Sequence, residues 1–284
     1  MVGRWYTVVM YLGVDIGGTK TLVAVLDDNG VILESRKFPT SHDYHHFTLE
    51  LRHALAHLSK HDWKAAGVGL PTSLFDREEG VAKLFGNLPW RNVHIQSDIE
   101  RLLRCPVVVE NDAKMASLSE AMLVRNRYDR VLYVTISTGI GYGLTVNGEI
   151  ETNIGDGGGR TMLLPHHGKL VPWESFASGR AIVERYGKLA MDIHDQRTWQ
   201  SIVHDLKLGF LELIAITQPD VIIIGGSVGT YFERYSKLLA AELKACETPS
   251  LKIPPLRQAQ RPEQAVVYGC YDLAKQKFSH ARSH

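Results

Sequence analysis

Cysteine is scarce in this chain. Three stand in 284 residues, Cys105, Cys246 and Cys270, far apart in sequence. They make no C-x-x-C pair, no zinc finger and no disulfide framework. No run of about 18 apolar residues occurs, which excludes a transmembrane helix and a membrane partner from the expectation. Neither sign of charge dominates: Lys+Arg 32 against Asp+Glu 31 leaves +1, which argues against a polyanion-binding chain and against nucleic acid as a partner. Met1 to Met10 lack the long apolar core and small-residue cleavage site of a signal peptide, so the expected compartment is the cytoplasm. The ten residues ahead of the first strand have no evident role; Met10 as an alternative start and a loosely ordered leader are the two readings. Low-complexity and Ser/Gly linker segments are also missing, so any two halves should be joined through structure. What is present is 44% apolar residues with 22% charged, enough for a sizeable core, in a length near two domains of about 150 residues.

The order of signals along the chain repeats. Tyr11 to Val14 reads as a strand, Asp15–Lys20 as a glycine turn, Thr21 to Leu26 as a second strand, Asp27–Gly30 as a hairpin turn and Val31 to Lys37 as a third strand. A helix is expected from about Tyr44 to Lys60 on the stripe Phe47, Leu51, Ala54, Leu55, Leu58. Buried strands follow at Ala66 to Leu70 and Val107 to Val109, then a helix from Ala113 to about Val124. The opening pattern then recurs: strand Val131 to Ile136, glycine turn Ser137–Gly143, strand Leu144 to Val146, turn Asn147–Gly148, strand Glu149 to Glu151. Two similar halves facing each other are therefore expected. Helices at about 174–189 and 196–217, a buried strand at Val221 to Ile224, and helices at about 231–245 and 262–277 complete the chain.

Each glycine turn has two readings. Successive backbone N–H groups without Cβ crowding form a nest for anionic oxygen, with Thr19, Thr138 and Lys20 adding donors and charge. The plain alternative is a tight hairpin with glycine at positive φ. Two such turns at matching positions of a repeat favour nucleotide phosphates, and because both lead into strands, neither a P-loop nor a Rossmann fingerprint fits. Glu110-Asn111-Asp112 ends a buried strand and opens a helix, where α/β sheets place catalytic groups. Asp112 can take a proton and Asn111 can orient a substrate; helix capping is the alternative for both. Gly225-Gly226-Ser227 after a buried strand suits close approach to an adenine or ribose, or a plain turn. His53, His57 and His61 at i, i+4, i+8 lack the carboxylate of an HExxH site, so a solvated helix flank is expected. His166-His167 in a loop is too small a ligand set by itself.

Taken together, these segments resemble the ROK-family sugar kinases. Tyr11–Lys20 is similar to the opening phosphate motif of that family, Gly86–Val93 to its NLPGW stretch, Val109–Ala113 to its catalytic segment, Ser137–Gly141 to its second phosphate motif, Trp173–Gly179 to its LEAYASG segment and Ile223–Ser227 to its adenosine segment. The matches run in family order over most of the chain. The resemblance implies an α/β, two-lobed actin-like ATPase (ribonuclease H-like) fold, duplicated halves with an interdomain cleft: an N-terminal lobe at 11–112 with 272–284 packing back on it, and a C-terminal lobe at 113–271. It implies ATP-dependent phosphorylation of a sugar, glucokinase-like and part of carbohydrate metabolism, in a homodimer. Asp112 would be the base; Asn111, Glu174 and Asn87 would contact the sugar; Asp15 would sit near magnesium. Gly17, Gly18, Thr19, Lys20, Thr138, Gly139, Gly141, Gly225, Gly226 and Ser227 would hold the nucleotide. The departures are specific. The G-E-x-G-H segment of family members is replaced by Gly155–Met162 with no Glu and no His, and the zinc loop by Pro165–Pro172 with no cysteine. No structural zinc is therefore expected, and either relaxed discrimination at the sugar edge that the lost side chains would bracket or a non-glucose substrate altogether. The helix-turn-helix of the family's repressors is not expected, with only about ten residues ahead of the first strand. The rival readings are a non-catalytic sugar- or nucleotide-binding protein and a polyphosphate-dependent kinase.

Overall fold

The computed structural model describes residues 9–279. The chain divides into two compact units. One consists of the chain up to Met115 together with the chain from Val266; the other runs from Ala116 to Ala265. The readings made for residues 1–8 lie outside the described residues, and Met10 opens the first strand.

The first unit begins with β1 (Met10–Ile16), β2 (Lys20–Asp27) and β3 (Ile32–Pro39), an antiparallel meander. Asp27 Oδ1 accepts from the backbone N of Asn29 and Val31, which fixes the turn between β2 and β3. Then come α1 (Tyr44–Ala56), β4 (Ala65–Leu70), β5 (Thr72–Asp76), β6 (Val81–Phe85), β7 (Arg91–Val93), α2 (Ile95–Leu103) and β8 (Val107–Asn111). The main sheet has the order β3-β2-β1-β4-β8, and β1, β4 and β8 run parallel. Every residue of β4 is buried, as a strand covered on both faces requires. β5, β6 and β7 form a separate small sheet.

Helix α3 (Asp112–Val124) leads into the second unit, whose elements are β9 (Arg130–Ile136), β10 (Ile140–Val146), β11 (Glu149–Ile150), α4 (Gly158–Thr161), β12 (Leu163–His166), β13 (Lys169–Pro172), α5 (Glu174–Ala177), α6 (Gly179–Tyr186), α7 (Gln196–Thr217), β14 (Val221–Gly225), α8 (Gly226–Gly229), α9 (Ser236–Lys244) and β15 (Leu256–Gln258). Its sheet, β11-β10-β9-β14-β15, repeats the first: an antiparallel meander followed by two parallel strands. The duplication expected from the sequence is thus present at the level of strand order. The last helix, α10 (Ala265–Phe278), belongs to the first unit from Val266 on. It lies close against β1 and β4 because Gly13, Gly67 and Gly69 have no side chain there. A Cβ at Gly13 would come within 2.9 Å of Val267 O, and one at Gly67 would overlap the backbone of Cys270. The expected boundary at 271/272 therefore falls inside a continuous helix, and the one at 112/113 inside α3.

Several expected elements differ for local reasons. The helix expected over 174–189 is two helices, because Ser178 has an extended backbone and its Oγ caps α6 by accepting from Ala181 N at 3.2 Å. α1 stops at Ala56, which takes His61 off the helix and dissolves the i, i+8 relation of the three histidines. The second glycine turn is shorter than expected: Gly141 and Gly143 lie inside β10, paired with Thr135 and Tyr133.

Candidate active site

In the first unit, the parallel strands β1, β4 and β8 end on one edge of the sheet. Asp15 pairs with Gly69, and Leu70 with Asn111, so Asp15, Asn111 and Asp112 arrive at that edge together. Such an edge is where open α/β sheets place ligands. Asn111 is buried and its amide is engaged: Oδ1 accepts from Ala113 N at 2.9 Å and Lys114 N at 3.2 Å, and Nδ2 donates to Thr72 O at 2.7 Å. Asn111 therefore caps α3 and ties it to β5. This leaves Asp112 largely released from capping. Its Oδ1 lies 2.8 Å from Ala113 N, and its Oδ2 has no protein partner among the described residues. Burial pushes the Asp112 carboxyl up to about 6 against the pull of the Ala113 amide. Asp15 is pushed up to about 7, first by burial and then by the negative charge of Asp112, with Lys37 and Lys20 opposing. Two carboxylates within electrostatic reach thus share this edge.

The first glycine turn sits beside them. Gly17 N donates to Lys20 O at 3.0 Å, and neither Gly17 nor Gly18 has positive φ. Close approach, not backbone strain, requires glycine here: a Cβ at Gly18 would lie 2.8 Å from the Asn87 Cβ. Asn87, read from the sequence as a sugar contact, is therefore placed against the first glycine turn. Thr19 and Lys20 are exposed on the same turn.

The second unit brings three sequence segments onto its own glycine turn. Ile140 N lies 3.4 Å from Glu174 Oε2, and a Cβ at Gly139 would come within 2.7 Å of that oxygen. Gly179 N donates to Ser137 O at 2.7 Å. Gly226, in the left-handed region at φ +81, brings the end of β14 against the backbone of Ile136. Thr138, Gly139, Glu174, Gly225 and Gly226 are thus neighbours, with Ser227 exposed beside them. Gly141 is set back within β10.

The glycine run ahead of Glu174 is tightly packed. It does not open an empty edge. Gly158 has φ +54 and would overlap Ile140 O with any side chain, and a Cβ at Gly159 would lie 2.9 Å from Ile140 Cβ. The run packs α4 onto β10, and the residue after it, Arg160, donates from Nε to Glu174 Oε1 at 3.1 Å. A charged donor stands where loss of polar groups was expected.

Hairpin β12–β13 occupies the stretch of the family zinc loop. His166 stacks on Phe176 at 4.1 Å, and its Nε2 lies 3.4 Å from Asp205 Oδ1; Asp205 also receives the Arg185 guanidinium. These residues do not fit a zinc site: no thiolate is near, and the one carboxylate is already paired with arginine. Among the described residues, no group of three or more His, Cys, Asp and Glu is arranged to hold a metal ion. Elemental analysis of chelator-washed protein is expected to find no stoichiometric zinc. One tightly held zinc per chain would contradict this.

Two arginines went unread in the sequence. Arg160 follows three consecutive glycines, a placement that marks it in retrospect. Arg77, between β5 and β6, donates from Nε and from a terminal nitrogen to Glu110 at 2.8 and 2.7 Å, and no local sequence signal pairs residues 33 positions apart.

Known proteins resemble this chain over much of its length. A glucokinase of Streptomyces coelicolor is 30% identical over 187 residues, which is 62% of this chain and 58% of that protein. This chain therefore spans little more than half of that relative's length. An N-acetyl-D-glucosamine kinase of Haemophilus influenzae is 28% identical, covering 93% of this chain and 99% of that protein. Among solved structures, a ROK family glucokinase from Streptomyces griseus in complex with glucose and AMPPNP superimposes with a TM-score of 0.77 at 24% identity, covering 94% of this chain and 99% of that one. That likeness establishes the α/β actin-like ATPase fold. Residues 11–277 match the model of the ROK family. With nearly the whole chain inside that match, this protein belongs to the ROK family.

Proposed function

We propose that this chain transfers the γ-phosphoryl group of ATP to a sugar, at the 6-hydroxyl of a hexose or amino sugar. The observation that carries the reading is Asp112: a carboxylate at the end of three parallel strands, relieved of capping by Asn111, with one oxygen unpartnered among the described residues. Phosphoryl transfer asks a protein for alignment, charge neutralisation and a base. Asp112 accepts the proton of the attacking hydroxyl as its oxygen bonds to phosphorus and ADP leaves. Glu174 and the remaining N–H of the Asn111 side-chain amide would each take a sugar hydroxyl. Gly17, Gly18, Thr19 and Lys20 in one unit, and Thr138 and Gly139 in the other, donate to phosphate oxygens; Gly225, Gly226 and Ser227 take the adenosine.

Two mutually repelling carboxylates are hard oxygen donors of the kind magnesium uses when bound mainly by phosphates and water. Asp15 would hold such an ion through a water ligand, and the ion would neutralise charge on the donor phosphates. The homologous kinases' names support the activity class, and a homodimer in the cytoplasm completes the proposal.

The test is ATP-dependent phosphorylation across a panel of hexoses, amino sugars and polyols. Binding without transfer would favour the non-catalytic alternative, and activity restored only by polyphosphate would change the donor. A pH profile adds a second check. A general base acts only when ionised, so kcat/KM is expected to fall as pH drops through about 6, where burial sets Asp112. An acid limb at about 4, the ordinary carboxylate range, would remove Asp112 from that role.

A further inference from the structure

Glu174 and Arg160 form a mixed donor–acceptor edge. Glu174 offers acceptors only, and its two oxygens already face Arg160 Nε at 3.1 Å and Ile140 N at 3.4 Å. Arg160 offers donors only, in a planar fork. The pair is open toward the arginine: 41% of the Arg160 side chain is exposed against 20% of Glu174. Gly158 and Gly159 are pressed against β10 and admit no side chain, so Arg160 is the first side chain after them.

We propose that Arg160 determines substrate specificity, by donating to a carbonyl or carboxylate oxygen carried beside the hydroxyl that Glu174 takes. The substrate class is then an N-acyl amino sugar or a sugar acid, not an unsubstituted hexose. The proposal rests on the sugar-kinase reading and deepens it. The physical reason is the strength of the acceptor. A hydroxyl serves either member of the pair indifferently, whereas a carbonyl or carboxylate oxygen can only accept and gains most from a guanidinium. A sugar lacking that oxygen offers the guanidinium only a hydroxyl, a weaker acceptor, and loses the charge-assisted bond.

The experiment measures calorimetric binding, and kcat/KM where turnover occurs, for glucose, mannose, N-acetylglucosamine, N-acetylmannosamine and glucuronate. The full chain is compared with Arg160→Gln and Arg160→Lys. The chain as it stands is expected to prefer at least one acylated or acidic sugar over its parent hexose, and the separate sugars tell an amide carbonyl from a carboxylate. Arg160→Gln should reduce that preference by about 10–100-fold, the range of one hydrogen bond to a charged group. Arg160→Lys should recover only part of it, since a point charge lacks the planar fork. The proposal is overturned by a preference for plain hexoses, by equal losses on all sugars (a brace for Glu174 only), by a loss confined to nucleotide affinity, or by no sugar binding. Selective binding without phosphoryl transfer would uphold Arg160 and overturn the kinase reading. Phosphorylation of plain hexoses alone would do the reverse.

Discussion

Asp112→Asn is expected to lower kcat by about 10²-fold or more, the usual range for a general base being about 10²–10⁴. The substitution keeps shape and hydrogen-bonding capacity and removes the charge that receives the proton. Sugar affinity should change little, because Asn111 and Glu174 are untouched, so the loss appears in kcat rather than KM. Stability gives an independent check with a defined sign. The folded Asp112 carboxyl, raised to about 6 by burial, binds its proton more tightly than the same group in the unfolded chain near 3.8. Its ionisation therefore weakens the folded state as pH rises through that interval. Asp112→Asn removes the burden, so at pH 7.5 the melting temperature should hold or rise by a few degrees, and the difference should vanish below about pH 4. If Asp112 were chiefly a helix cap, turnover would stay near normal. Full activity in Asp112→Asn would sever Asp112 from the chemistry.

The sequence showed most of the frame because local chemistry and the repeat agree. Asp27–Gly30 and Asn147–Gly148 are turn residues whose positions the structure keeps, and the buried runs Ala66 to Leu70, Val107 to Val109 and Val221 to Ile224 became the parallel strands β4, β8 and β14. Elements that were missed are short and depend on distant partners. β5, β6 and β7 stabilise one another through pairing, and α2 is nine residues long, with its stripe Ile95, Ile99, Leu103 visible only once it is known to face a core. Short β pairs and two-turn helices draw little from local preference.

The candidate site was readable as residue types and less so as roles. Asp15, Asn111 and Asp112 meet at one sheet edge, and Glu174, expected as a sugar contact, packs against the second glycine turn. The sequence left capping open between Asn111 and Asp112, and only hydrogen-bond geometry gives most of it to Asn111. Glycine was read mainly as a loop permission. At Gly18 and Gly139 it is instead required by a neighbouring side chain, Asn87 in one case and Glu174 in the other. Such neighbours are non-local, and a single sequence does not contain them.

Arg77→Ala is expected to cost about 3 kcal/mol of stability, the low end of the 3–5 kcal/mol for breaking a buried pair, because Arg77 remains partly open to water. Its partner Glu110 is only 4% exposed and sits one residue before Asn111 at the end of β8. Without the two-pronged guanidinium, the carboxylate keeps the Asn111 backbone N–H, at 2.7 Å, as its remaining hydrogen bond and is otherwise a buried charge. A urea titration of the full chain reads this loss directly. The paired substitution Arg77→Met with Glu110→Met separates stability from positioning. Replacing both partners with apolar side chains of similar volume is often neutral, so most of the lost stability should return. Activity should not return with it. The ion pair joins the β5–β6 turn to the strand end that delivers Asp112, and a displacement of about 1 Å at a reacting group costs up to about 10²-fold. The double variant is therefore expected to be stable yet at least about 10-fold slower in kcat than the parent chain. Recovery of both stability and kcat would reduce the pair to packing. A loss below about 1 kcal/mol in Arg77→Ala would reduce it further, to the worth of an ordinary surface ion pair.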